Sequence, residues 1–291
     1  MAAGRPWLTV GGQPITSELV HGAHARASGY CAAIKAENAT LSRSLRDEIA
    51  EGWTKDGMAE HASIASFSKF ALGLMSVSAP ANLLEGAHLA ALDEIKHAKL
   101  CFGLAAAYSN GSRAAPGPFP VPTMATCELS EFAAATVREG CVGETLSALT
   151  AAQQLRELKP TSPQSVRSAL RTISADEARH AALAWETVAW ALRTGGAKVA
   201  ASVDAAFREA LQLNAAGASS AQPGADATML EFHGRISTAR AGNVRASYGA
   251  TIAAMRDALV ARKGSNAAAA VRATEDVSCL KGAFAGLFSF Q

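Results

Sequence analysis

The chain of 291 residues is 49% hydrophobic, enough to fill a sizeable core in one large domain or two. Its formal net charge of +2 gives no electrostatic reason for nucleic acid as a partner. Its odd number of widely spaced cysteines (Cys31, Cys101, Cys127, Cys141 and Cys279) argues against a disulfide scaffold and for a reducing cytoplasm; no transmembrane segment or export signal is visible, a leader already removed being left open.

Taken in order, residues 1–30 carry Gly11-Gly12-Gln13-Pro14 between Trp7–Val10 and Ile15, which reads as a turn between extended pieces. From Tyr30 to Glu51 the apolar spacing becomes helical, through Ile34, Leu41, Leu45 and Ile49, and is expected as a separate helix leading into the core. A first core helix is predicted over Thr54–Val77, with Ile64, Phe67, Ala71 and Leu74 on one face, and Pro80 breaks it. A second helix, starting near Ser78 and Pro80, reaches about Tyr108.

Four prolines between Pro116 and Pro122 then exclude helix and make a connection long enough to cross a bundle. Helix three is predicted from Glu128 to Leu158, and helix four from Ser162-Pro163, as N-cap and first-turn proline, to Gly195-Gly196. Beyond it lie helical patterns over Val199–Leu213 and Val244–Arg262, a flexible stretch over Ala215–Gly224, and an apolar tail over Val277–Phe290 that should dock on the domain. The expected division is an N-terminal extension (1–52), a four-helix bundle (53–195) and a C-terminal helical extension (196–291).

The chemistry is carried by a repeat. Asp93-Glu94-Ile95-Lys96-His97-Ala98 returns as Asp176-Glu177-Ala178-Arg179-His180-Ala181. Residues three apart share a helix face, so each carboxylate and imidazole can grip one metal ion together. Glu60 precedes Glu94 by 34 residues and Glu144 precedes Glu177 by 33, the interval of a helical hairpin with equal arms. Packing two such hairpins together converges Glu60, Glu94, His97, Glu144, Glu177 and His180, a donor set for two metal ions.

Other residues are weaker candidates. Glu85, Glu139 and Glu186 fall out of phase with the ligand face, and His61 points about 100° from Glu60. His21, His24, His88 and His233 have no partner at ligand spacing, Cys101 reads as packing, and Asp56 as a less favoured outer carboxylate. Small residues around Glu144 (Gly140, Cys141, Ser147, Ala148 and Ala151) suit either tight helix packing or a substrate pocket.

At these motifs the chain resembles the ferritin-like di-iron carboxylate superfamily, which includes ferritins, rubrerythrins and di-iron oxygenases; the likeness covers Trp53 to about Arg193. It implies an all-α, ferritin-like four-helix bundle of two hairpins with a long crossover, and makes Glu60, Glu94, His97, Glu144, Glu177 and His180 both the metal ligands and the catalytic residues. It also implies that Asp93 and Asp176 accept the free N–H of a ligand histidine. Carboxylate-rich sites without thiolates suit two iron ions, with manganese or a mixed Fe/Mn pair as alternatives.

The function so implied is oxygen-dependent oxidation of a small organic substrate, with O2 as co-substrate and an external reductant or electron-transfer protein, since no paired C-x-x-C motif supplies an internal one. An iron-handling ferroxidase or storage protein and a rubrerythrin-like peroxidase are the alternatives. The oligomeric state is left open, a homodimer being one arrangement.

Overall fold

The computed structural model describes residues 7, 13–34, 41–112, 114–124, 127–215, 227–236 and 238–261. The Gly11-Gly12 turn, most of the flexible stretch and the apolar tail over Val277–Phe290 lie outside the described residues. Among the described residues the fold is all-α apart from one two-stranded sheet.

The expected separate helix ahead of the core does not exist as such: a single helix α2 runs from Arg43 to Ser76, and the 52/53 boundary falls inside it. It starts where the Ser42 hydroxyl accepts the Leu45 N–H at 3.2 Å. It ends where Ser78 turns to a φ of 54°, two residues before Pro80. Nothing between Glu51 and Thr54 can break a helix: Gly52 costs about 1 kcal/mol, and the buried stripe of Ile49, Trp53, Gly57 and Glu60 continues unbroken. Ahead of α2 lie strand β1 (Leu19–His21) and the short helix α1 (Ala23–Ala27).

Helix α3 covers Ala81–Tyr108 and packs along α2. The helices approach closely where α2 has no side chain: a Cβ at Gly57 would meet the Phe102 ring at 3.0 Å. In the crossover, strand β2 (Ala114–Pro116) pairs antiparallel with β1, setting Leu19 opposite Pro116 and His21 opposite Ala114. Prolines leave residues 117–124 without regular structure. His61 anchors this layer to α2, with Ser17 Oγ 3.3 Å from its Nδ1 and the rings of Tyr30 and Phe119 against it.

Predicted helix three is continuous but not uniform. Helix α4 (Leu129–Thr136) opens with a capping box between Glu128 and Glu131, passes into a π-helical segment (Val137–Glu144), and resumes as α5 (Thr145–Glu157). Helix α6 runs over Gln164–Thr194. Its start differs slightly from expectation, because Pro163 occupies the cap position while Ser162 Oγ accepts the Lys159 N–H in the preceding turn.

Helices α7 (Gly196–Ala215), α8 (Ala227–Phe232) and α9 (Thr238–Ala261) follow. Helix α7 packs on α4, the π-helical segment and α6, and α9 packs on α5 and α7, so the C-terminal extension sheathes one side of the core. Among the described residues, no helix is long and apolar enough to cross a membrane.

Candidate metal centre

The six predicted residues come from four helical segments: Glu60 from α2, Glu94 and His97 from α3, Glu144 from the last position of the π-helical segment, and Glu177 and His180 from α6. All are at most 3% exposed. Phe67, Phe70 and Leu74 form an apolar cluster beyond Glu60 along α2, and Ile49 and Trp53 form another before it. The carboxylates therefore sit in a stretch of core shielded from water.

Their donor atoms form two overlapping tetrads. Glu60, Glu94, His97 and Glu177 each offer one atom within 4.8 Å of the others, and so do Glu94, Glu144, Glu177 and His180. Glu94 and Glu177 belong to both. His97 Nδ1 lies 3.8 Å from Glu60, 3.7 Å from Glu94 and 3.6 Å from Glu177, while His180 Nδ1 lies 3.2 Å from Glu94 and 3.7 Å from Glu177. These separations exceed hydrogen-bond length for most pairs. Oxygens of all four glutamates and both Nδ1 atoms are buried without a hydrogen-bond partner among the described residues. Burying so many polar atoms unpaired costs several kcal/mol, and a metal ion between them removes that cost. The buried cluster can hold a metal ion.

The opposite nitrogens fix the rings. His97 Nε2–H donates to Asp176 at 3.0 Å and His180 Nε2–H to Asp93 at 3.4 Å, so each repeat's aspartate serves the other repeat's histidine. This exchange turns both Nδ1 atoms inward and fixes the tautomer. Arg179 spans both aspartates, at 3.0 Å to Asp93 and 2.6 Å to Asp176, and Lys96 adds a contact of 3.3 Å to Asp176. Sequence reasoning did not use these two cations, although both occupy the same place in the repeat, immediately before the histidine.

The charges divide by position. Burial, reinforced by neighbouring carboxylates, holds Glu60 and Glu144 well above the usual carboxylate range. Burial also pushes Glu94 and Glu177 upward, but the two imidazoles facing them outweigh it and leave both below that range. Burial opposes protonation of His97 and His180, yet the surrounding carboxylates prevail and hold both well above the ordinary imidazole value. Without metal, the two shared glutamates are therefore ionised between two imidazolium rings.

The remaining candidates fall elsewhere. Glu139 pairs with Lys69 at 3.2 Å, and Glu85 and His88 are exposed. His21 and His24 lie exposed in β1 and α1. Asp56 is buried and binds Arg235 at 2.5 Å, a partner that no spacing in the sequence indicates. His233 also has a partner, the Tyr108 hydroxyl at 2.6 Å. The small residues around Glu144 serve tight packing: Cys141 and Ala151 belong to apolar clusters, and Ala148 is fully buried. Comparison with protein-family models, with curated proteins and with solved structures finds no match to this chain.

Proposed function

We propose that this chain is an oxygen-dependent, non-haem di-iron oxidoreductase built on a ferritin-like four-helix bundle. The observation that carries the reading is the pair of overlapping tetrads that share Glu94 and Glu177. Two neighbouring ions with common carboxylates fit this arrangement, whereas a closed tetrahedral zinc site would leave half of the donors idle. Glu60 and His97 would help hold one ion and Glu144 and His180 the other, with Glu94 and Glu177 available to both. Two iron ions, when bound, would supply two of the four electrons that O2 accepts, the organic substrate giving the other two as it is oxidised.

The chain's own part is positional. Asp176 and Asp93 keep His97 and His180 in the tautomer whose Nδ1 faces the ions. Phe67, 5.0 Å from His180 between ring centroids, walls the centre on one side and excludes water there. The π-helical segment ends at Glu144, and such irregular turns concentrate at functional sites, which favours an enzyme over an iron store.

Metal analysis of purified protein, followed by the optical spectrum of its reduced form on exposure to oxygen, tests the reading. About two irons per chain and an oxygen-dependent spectral change are expected. A metal-free protein that also takes up no iron would overturn it.

A further inference from the structure

The cross-connected histidines lead outward to one place on the surface. Between each imidazole and solvent stands a single aspartate, and both aspartates end on Arg179, which is 61% exposed. Lys96, 56% exposed, caps Asp176 from α3.

The surface around this outlet is basic and partly apolar. Counting back from Lys96 along α3, Leu92 and Leu89 lie four and seven residues away on the same face, 62% and 63% exposed. Lys99 follows three residues later, and Arg171 stands two turns before Arg179 on α6. Both are exposed, and no described residue pairs with either. Lys96, Lys99, Arg171 and Arg179 thus place four cations over the outlet against the carboxylates of Asp93 and Asp176, which leaves the outlet net positive with Lys99 and Arg171 uncompensated. Apart from Asp93 and Asp176, which pair with Arg179 and Lys96, the described acidic residues of this face are Glu85 and Glu186, toward its other end beyond Leu89.

Resting on the di-iron reading, we propose that the face shared by α3 and α6 is the docking surface for an acidic one-electron donor protein, with Leu89 and Leu92 as its apolar centre and the four cations as its steering charges. Electrostatic complementarity raises association rates more than affinity, which suits a donor that must arrive and leave in every cycle. Small, partly charged contacts of this kind are typical of electron-transfer encounters. Each encounter would oxidise the partner's centre by one electron and reduce the bound metal pair by one, so two encounters would supply two of the four electrons that one O2 accepts, the organic substrate supplying the other two. The Asp–His connections carry no atoms across; they join the docked partner to each imidazole through a single aspartate.

The test uses the full chain and a plant-type [2Fe–2S] ferredoxin as acidic probe, with cytochrome c as a basic control. Binding is measured by surface plasmon resonance at 20 and 200 mM salt, independently of metal content. Expected are ferredoxin binding that weakens at least tenfold at the higher salt, no cytochrome c binding, and at least tenfold weaker ferredoxin binding by the Lys99→Glu/Arg171→Glu variant. Metal content and melting temperature of that variant should stay unchanged, because neither residue touches the cluster.

Equal ferredoxin binding by variant and wild type, or no ferredoxin binding at all, would overturn the docking surface while leaving the di-iron reading standing. A protein that binds ferredoxin but takes up no iron would sink the di-iron reading, and with it the electron-donor role of the face. Self-association abolished by Leu89→Asp/Leu92→Asp would make the face a subunit interface and overturn the proposal too.

Discussion

Within the cluster, protonation is what a metal ion has to displace. Glu60 and Glu144 are held protonated mainly by burial, and His97 and His180 are held protonated by the carboxylates around them. Loading two divalent ions on metal-free protein at neutral pH should therefore release about four protons, one from each of these groups. Calorimetric titrations in buffers of different ionisation enthalpy measure that number, and zero release would refute the charge assignment. The same groups set a pH dependence. All four bind protons more tightly folded than unfolded, so their stabilisation is lost as pH rises through the folded values. The metal-free melting temperature should fall as pH rises above about 4.3, where the unfolded glutamates ionise, and more steeply above about 6.5, where the unfolded imidazoles lose their protons, and metal loading should remove the fall. At the outer ring, Asp176→Asn should lower metal affinity by about 10–100-fold. Asp93→Asn should do less, because Asp93 holds its histidine at 3.4 Å rather than 3.0 Å and is the more exposed aspartate. An equal or reversed ranking in competitive metal titrations would count against this geometry. The six cluster residues were legible in the sequence because the Asp-Glu-x-x-His repeat and the hairpin interval are local spacings. Arg179 and Lys96 were not, since a cation at an exposed helical position usually faces only water.

Among the elements, the sequence located helices well and their interiors less well. Breakers are local, so the ends near Ser78, Tyr108, Leu158 and Gly195 could be read from Pro, Gly and capping residues. Whether a helix continues depends instead on what its face packs against. Residues 43–52 join α2 because Leu45, Ile49 and Trp53 pack with Leu104, Val166 and Leu170 in one cluster. The π-helical segment escaped notice for the same reason. Its signal was weak: Gly140 and Gly143, both poor in helices, lie within eight residues. A π-turn carries one more residue than the α-helical ladder accommodates, so the segment sets the phase between α4 and α5. Helix α5 is fixed by its packing on α6, and α4 by its packing on α7. Deleting Gly143 should let the segment relax to α-helix and misplace Glu144, which has no other anchor near Glu177. Bound iron should then drop from about two per chain to one, with helical circular dichroism unchanged. Full iron content in the deletion variant would show that the π-turn does not position Glu144.

At the scale of the molecule, the C-terminal extension is part of the core rather than an appendage. The turn after α8 inserts His233, Gly234 and Arg235 among α2, α3, α5 and α6. His233 meets Tyr108 of α3, and the Gly234 carbonyl accepts from Gln154 Nε2 of α5 at 2.9 Å. A Cβ on Gly234, whose φ is 74°, would meet Val166 of α6 at 2.5 Å, so only glycine fits there. Arg235 lies over the Trp53 ring at 4.7 Å and pairs with Asp56, one turn before Glu60 on α2. Nothing in the sequence linked residues 56 and 235, because a contact across 179 positions leaves no periodic trace. The pair is almost fully buried, and that decides what its loss does. Removing one partner strands a charge and costs about 3–5 kcal/mol, whereas replacing both with apolar residues of similar size is close to neutral. Arg235→Met should therefore lower the melting temperature by roughly 6–20 °C, and Asp56→Leu by a similar amount. The double variant should recover most of the loss. Because Asp56 and Glu60 share one α2 face, Arg235→Met should also weaken iron binding, and the double variant should not restore it fully. Additive losses in the double variant, read by thermal denaturation, would show that Asp56 and Arg235 do not act as a pair and that the turn is held by its other contacts.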